Sequence, residues 1–158
     1  MLQQSRQGAV DNRQVKNKKG KEIKKSKRYM SEGNNSSFKF KDLTVYKKAF
    51  GLSMEIFNVS KKFPSEEKYG LTSQIRRSSR SVCSSIGEGY RKRKYEAHFV
   101  SKTSDADMEN SETSVWIDFA YECEYIDKET QNKLNEKAAE IGRLLNHMME
   151  NPEKYNRN

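Results

Sequence analysis

Apolar residues recur at helical spacing in four stretches of this chain, and none alternates with the two-residue period of a strand. The most informative stretch runs from Tyr69 to Tyr90. Leu71, Ile75, Ser78, Val82 and Ile86 follow one another at spacings of four, three, four and four. That spacing lines one side of a 3.6-residue helix. Arg76, Arg77 and Arg80 fall on the far side, so the pattern predicts a short helix with an apolar face and a guanidinium face. Gly87 and Gly89 predict its end, because glycine accepts the left-handed cap that other residues resist. A second basic run, Arg91-Lys92-Arg93-Lys94, follows directly.

Three further helices flank this one. The first is predicted from Asp42, a favourable N-cap, to about Lys62. Its seam is Val45, Ala49, Leu52, Ile56, Val59 and Phe63. Tyr46, Phe50 and Phe57 widen the apolar face as a bundle helix requires, and Pro64 stops the helix. The third runs from Tyr95 to Tyr125 and carries two apolar stripes. One is Phe99, Thr103, Ala106, Thr113 and Ile117; the other is Ser104, Met108, Ser111, Val115, Phe119 and Ile126. A helix apolar on two sides is buried on two sides. One side can face the chain's own bundle, and the other calls for a partner, so a homo-oligomer is expected. The pattern does not say which stripe forms the subunit interface. Asp105, Asp107, Glu109 and Glu112 cluster mid-helix, placed to pair with the arginines of the second helix. The fourth helix is capped by Asp127 and carries Leu134, Ala138, Ile141, Leu145 and Met148, with Leu144 and Met149 broadening the stripe. Four helices with three short connections predict an all-α, antiparallel up-down four-helix bundle. It spans residues 38–151, with a short tail at 152–158.

Composition changes this picture at one end. Only 33% of the 158 residues are hydrophobic, and residues 1–37 account for part of that deficit. They hold ten Lys or Arg against three acids, which is +7 of the chain's +9. Lacking periodicity and apolar surface, they read as a disordered basic extension. The bundle itself is nearly neutral, so the basic balance belongs to the extension. Two readings of it stand side by side. One is a basic arm that follows a phosphate backbone. The other is an upstream start: initiation at Met30 would remove residues 1–29 and leave a net charge of +1. Cys83 and Cys123 lack metal spacing and make no disulfide framework, and read as reduced core or near-core residues of a cytoplasmic protein. No apolar run is long enough to span a bilayer, and no signal-peptide core is found at the N-terminus.

Candidate chemistry is sparse. His98 and His147 are the two histidines, and neither has a partner at metal spacing. No nucleophile elbow, HExxH or CxxC occurs. The expectation is a non-enzyme with no cofactor and no metal. Gly87-Glu88-Gly89-Tyr90 lacks the strand and spacing of a phosphate loop. What remains is the basic set: Arg76, Arg77, Arg80, Arg91, Lys92, Arg93 and Lys94 as phosphate contacts, with Tyr90 and Tyr95 flanking the run as stacking platforms for bases. The bland alternative is a solvated helix face with salt bridges to the third helix.

Three segments together carry a resemblance. FKDLTVYKKAF, FPSEEKYGLTSQIRRSSRSVCSSIGEGYRKRK and SETSVWIDFAYECEYID are similar to the four helix bundle protein family encoded in intervening sequences of bacterial large-subunit (23S) rRNA genes. The similarity spans about residues 38–150. It implies a ring-shaped homopentamer. A related branch is the accessory protein of diversity-generating retroelements, which binds nucleic acid and a reverse transcriptase. By that resemblance the matching basic positions are Arg76, Arg77 and Arg91. Val82 to Gly89 departs from the family's usual Ile-Pro-Ser-Asn-Ile-Ala-Glu-Gly, which predicts a straighter second helix. The reading is an oligomeric bundle that binds RNA or DNA through a basic surface. The alternative is a structural or adaptor ring that binds a protein partner, such as a reverse transcriptase, without touching nucleic acid.

Overall fold

The computed structural model describes residues 39–156; the expectations for residues 1–37 and for 157–158 lie outside the described residues. Within the described residues there are four α-helices and no strand: α1 (Thr44–Val59), α2 (Leu71–Lys92), α3 (Glu96–Glu122) and α4 (Lys128–Glu150). Short 3-10 turns at Phe40–Asp42, Ser60–Lys62, Ser65–Lys68 and Pro152–Lys154 join or flank them. Helix α2 packs on α1 and α3, and α4 packs on α3 and α1.

One predicted stripe from each helix forms the core. Val45, Ala49, Leu52 and Ile56 of α1 meet Leu71, Ile75, Val82 and Ile86 of α2, Phe99, Ala106 and Ile117 of α3, and Leu134, Ala138, Ile141, Leu145 and Met148 of α4, all buried. Two polar contacts join helices within this core, as buried hydroxyls and amides favour. The hydroxyls of Ser78 and Thr113, both fully buried, share a hydrogen bond of 2.9 Å between α2 and α3. Asn110, also buried, donates from Nδ2 to the Ala138 carbonyl on α4 at 2.9 Å. These contacts fix α2 and α4 on either side of α3.

Helix α2 does not stop at its glycines. It continues through Gly87 and Gly89 to Lys92. A Cβ built on Gly89 would lie 3.3 Å from Lys102 Cβ and 3.6 Å from the Phe99 carbonyl oxygen. One on Gly87 would lie 3.3 Å from the Phe40 ring. The glycines are therefore places of close approach inside a helix, and the capping role expected of them is wrong. The extra turn carries Arg91 and Lys92 into the helix.

Two other ends differ from the pattern. Asp42 does not cap α1: its Oδ2 accepts from the Lys39 backbone N–H at 2.7 Å, closing the 3-10 turn, and the N-cap is Leu43. Helix α3 ends at Glu122, short of Tyr125, because Glu124 takes the left-handed conformation at φ 61°. Cys123 consequently sits exposed at the helix C-cap, outside the core expected for it. Asp127 caps α4 as predicted, accepting from the Thr130 N–H at 2.8 Å. Beyond α4, Tyr155 stacks on Phe99 with ring centroids 5.5 Å apart, so packing against the core continues past residue 151.

The start of α2 is held by a side chain outside it. Glu67 Oε2 accepts from the Leu71 N–H at 2.8 Å, and its Oε1 accepts from the Tyr125 hydroxyl at 3.2 Å. Phe63 packs on the Tyr125 ring at 5.4 Å. This fixes where the basic face of α2 begins.

Candidate functional site

The basic residues singled out by the sequence separate into distinct environments once folded. Arg76 and Arg80, one turn apart on α2, both lie over the Phe57 ring of α1, at 5.0 and 5.8 Å from its centroid. Arg76 also donates from Nε to Ser60 Oγ at 2.7 Å. Neither has a carboxylate partner among the described residues. Aromatic support of this kind is attractive and stiffens a guanidinium without neutralising it.

Arg77 points elsewhere. It donates to Glu112 at 2.7 Å and lies 3.8 Å from Glu109, both on α3. Glu112 also accepts from the Trp116 indole at 3.0 Å. The predicted pairing of helix-three acids with helix-two arginines thus holds for Arg77 and not for Arg76 or Arg80. Asp105 pairs within its own helix with Lys102, which also meets Glu88 at 3.0 Å. Hydrogen bonds that the Lys102 ammonium donates to Glu88 and then to Asp105 hold it above its ordinary pKa.

The second basic run is divided too. Arg91 and Lys92 are exposed on the last turn of α2. Arg93 folds back, donating to the Tyr90 carbonyl at 2.8 Å with its guanidinium 4.0 Å over the Tyr90 ring. Lys94 is exposed in the turn before α3. The stacking role expected of Tyr90 fails, because its ring lies within the core at 7% exposure. Tyr95 is 63% exposed and meets His98 edge-on at 6.1 Å.

Two grooves run along this side of the molecule. The polar one, about 680 Å³, is lined by Arg76, Arg77 and Arg80 together with Lys68, Tyr69 and four hydroxyl residues. No carboxylate lines it. Lys68 and Tyr69 were not among the sequence candidates. Their signal was faint: a lysine and an aromatic directly before Gly70 and off every stripe. The apolar groove, about 730 Å³, is lined by Phe40, Tyr46, Phe50 and Met54 of the α1 side and by Cys83 and Gly87 of α2. Arg80, Arg91, Lys92 and Glu88 rim it. Burial pushes the Cys83 thiol up to about 11, so it stays protonated at neutral pH.

His147 sits on the last turn of α4, its carbonyl and ring facing the Asn151 amide. Among the described residues no His, Cys, Asp or Glu cluster is arranged to hold a metal ion. No helix there is long and apolar enough to cross a membrane.

The family model described as 23S rRNA-intervening sequence protein matches residues 41–147. A solved structure of a protein of unknown function, from the S23 ribosomal protein family of Bacteroides thetaiotaomicron VPI-5482, is 29% identical to this chain with a TM-score of 0.61. The match covers 67% of this chain and 95% of that one. No curated protein matches.

Proposed function

The chain belongs to the 23S rRNA-intervening sequence protein family, and from that premise we propose that it is a non-enzymatic oligomeric bundle whose α2 surface binds RNA or another nucleic acid. The helices run up and down in antiparallel order and the subunits close into a homopentameric ring. The antiparallel order is supported by paired positions on α2 and α3: Arg77 meets Glu112, while Glu88, further along α2, meets Lys102, earlier on α3. The ring is supported by the resemblance and by the apolar outer stripe of α3. The protein works in the cytoplasm, where Cys83 and Cys123 stay free thiols.

One observation carries the binding reading. Arg76 and Arg80 are braced side by side on Phe57 in a groove that no carboxylate lines. Protein surfaces usually intersperse charges of both signs, and Arg77 next door has two acids beside it. An unneutralised, stiffened arginine pair fits phosphate, which guanidinium recognises bidentately. Arg91 and Lys92 continue the cationic surface along α2. The basic residues 1–37 add nonspecific attraction.

The test is salt-titrated binding of a structured RNA and a DNA duplex. Each phosphate contact adds about 0.7–0.9 to the slope of log affinity against log salt. Arg80→Glu is expected to lower affinity and reduce that slope with little effect on melting, since Arg80 is exposed and only its ring contact is lost. Arg76→Glu lowers affinity as well, and also costs some stability through the Ser60 bond. Unchanged affinity in both variants removes this surface from the reading.

The second reading is an adaptor ring that binds a protein. It draws on the apolar groove between α1 and α2, where Phe50 and Met54 remain exposed. It predicts no salt-dependent nucleic-acid binding, and loss of the protein partner on Phe50→Asp.

A further inference from the structure

We infer that Tyr69 is a base-stacking platform and that the polar groove takes unpaired nucleotides in preference to duplex. This rests on the reading of the arginine groove as a nucleic-acid site, and names the class of strand it accepts. Tyr69 is 83% exposed, more than any other large apolar or aromatic side chain among the described residues. Nothing in the bundle uses its ring to fill the core, unlike Tyr90, Tyr46 and Tyr155. It stands in the same groove as Arg76 and Arg80. The adjoining Lys68 ammonium lies 5.2 Å from the centroid of its ring.

Tyr69 lies just before α2 and Arg76 in its second turn, and both line the same groove. A phosphate held by Arg76 and Arg80 leaves its base within reach of the tyrosine. In a duplex each base is already stacked on its neighbours, and its face is hidden. A base in a loop, bulge or single strand can be splayed out onto an aromatic ring, and such stacking tolerates any base identity. The ring therefore adds nothing for duplex, where only the arginines act. The serine and threonine hydroxyls that share the groove, including Ser73 and Ser84, offer neutral donors to sugar and phosphate oxygens.

The experiment uses the full chain and three fluorescently labelled 12-mers: a single-stranded RNA, an abasic strand of the same length, and the RNA paired with its complement. The basic residues 1–37 pull on all three strands, so the readout is the ratio of single-strand to abasic affinity. Tyr69→Ala is expected to lower single-strand affinity on the order of 10-fold while leaving abasic and duplex binding unchanged. Tyr69→Phe keeps the ring and keeps the affinity. If Tyr69→Ala and wild type bind the single strand equally while Arg80→Glu weakens all three ligands, the stacking inference is overturned and the arginine groove stands. If Arg80→Glu changes nothing, the groove itself is not the site, and both readings go. Equal loss on the abasic strand with Tyr69→Ala would also overturn it, since that loss cannot come from a base.

Discussion

Glu124 shows how a single residue sets the end of an element. Its φ of 61° places a β-carbon where glycine would sit without penalty. The N–H groups of Glu124 and Tyr125 reach back to the carbonyls of Tyr121 and Ala120 at 2.8 and 2.9 Å, satisfying acceptors at the end of α3. Glu124→Gly is therefore expected to stabilise the chain by about 0.5–1 kcal/mol. Thermal and urea unfolding measure this; a lower melting temperature would mean the glutamate side chain contributes more than the strain removes. The same scale shows what single positions hid. Nothing in the sequence told Arg77 from Arg76: they are neighbours, 100° apart on the helix. Only the position of α3 makes one a clamp to Glu112 and leaves the other on Phe57. Tyr90 is hidden from the sequence for a different reason: Gly87 and Gly89 predict an end to α2 before the turn that carries its ring into the core.

At the scale of elements, α1 and α4 share an apolar core and are joined by the Lys48–Glu140 pair and by one carboxylate that meets two lysines. Glu55 of α1 is bridged by Lys137 and Lys133 of α4, with Lys133 at 3.2 Å. Burial alone would raise the Glu55 pKa, but hydrogen bonds and charge from the two lysines outweigh it and hold it below the ordinary 4.5. A depressed folded-state pKa means the contribution is fully present above the unfolded value and is lost as pH falls through the folded one. The urea midpoint of the wild type should therefore fall as pH drops below about 4.5, and more steeply than that of Glu55→Gln. Equal slopes would show that the pair adds nothing beyond solvated charge, which is common for exposed ion pairs. A nearby contrast is the meeting of α2 and α3. Gly89 there has no Cβ to hold the Lys102 stem away, and three turns back along α2 the Ser78–Thr113 hydrogen bond ties the same two helices.

At the scale of the whole molecule, α3 is the helix with business on two sides. Its stripe of Phe99, Thr103, Ala106, Thr113 and Ile117 is buried within the chain. Its other stripe is open, with Met108 at 61%, Val115 at 49% and Phe119 at 52% exposure. Leaving this face in water forfeits the hydrophobic gain that burial would bring. Light scattering on the wild type is expected to give an oligomer. Met108→Lys combined with Val115→Glu should give a monomer of unchanged helix content, because both side chains are exposed and neither belongs to the subunit's own core. A monomeric wild type would remove the ring.

Periodicity by itself determined that the described residues make four helices and which side of α1, α2 and α4 faces inward, and the Asp127 cap marked where α4 starts. Those properties follow from local backbone geometry and from the area each stripe buries, so the order of residues is enough to read them. Family membership was legible as well, in the YGLTSQIRRSSRSV stretch of α2. The tertiary structure alone decided the course of α2 through its glycines. A glycine's freedom is compatible both with a cap and with close packing, and only the approach of Phe40 and α3 selects the second. It also decided which cations stay free. Charge compensation depends on which helix lies alongside, at distances of three to six ångströms that connect residues far apart in sequence. Arg77 is 35 positions from Glu112, and Arg76 meets Phe57 across the turn between helices. That arrangement sorts the seven basic residues by surroundings: Arg77 is paired with acids, Arg93 folds onto Tyr90, Arg76 and Arg80 share Phe57, and Arg91, Lys92 and Lys94 are exposed.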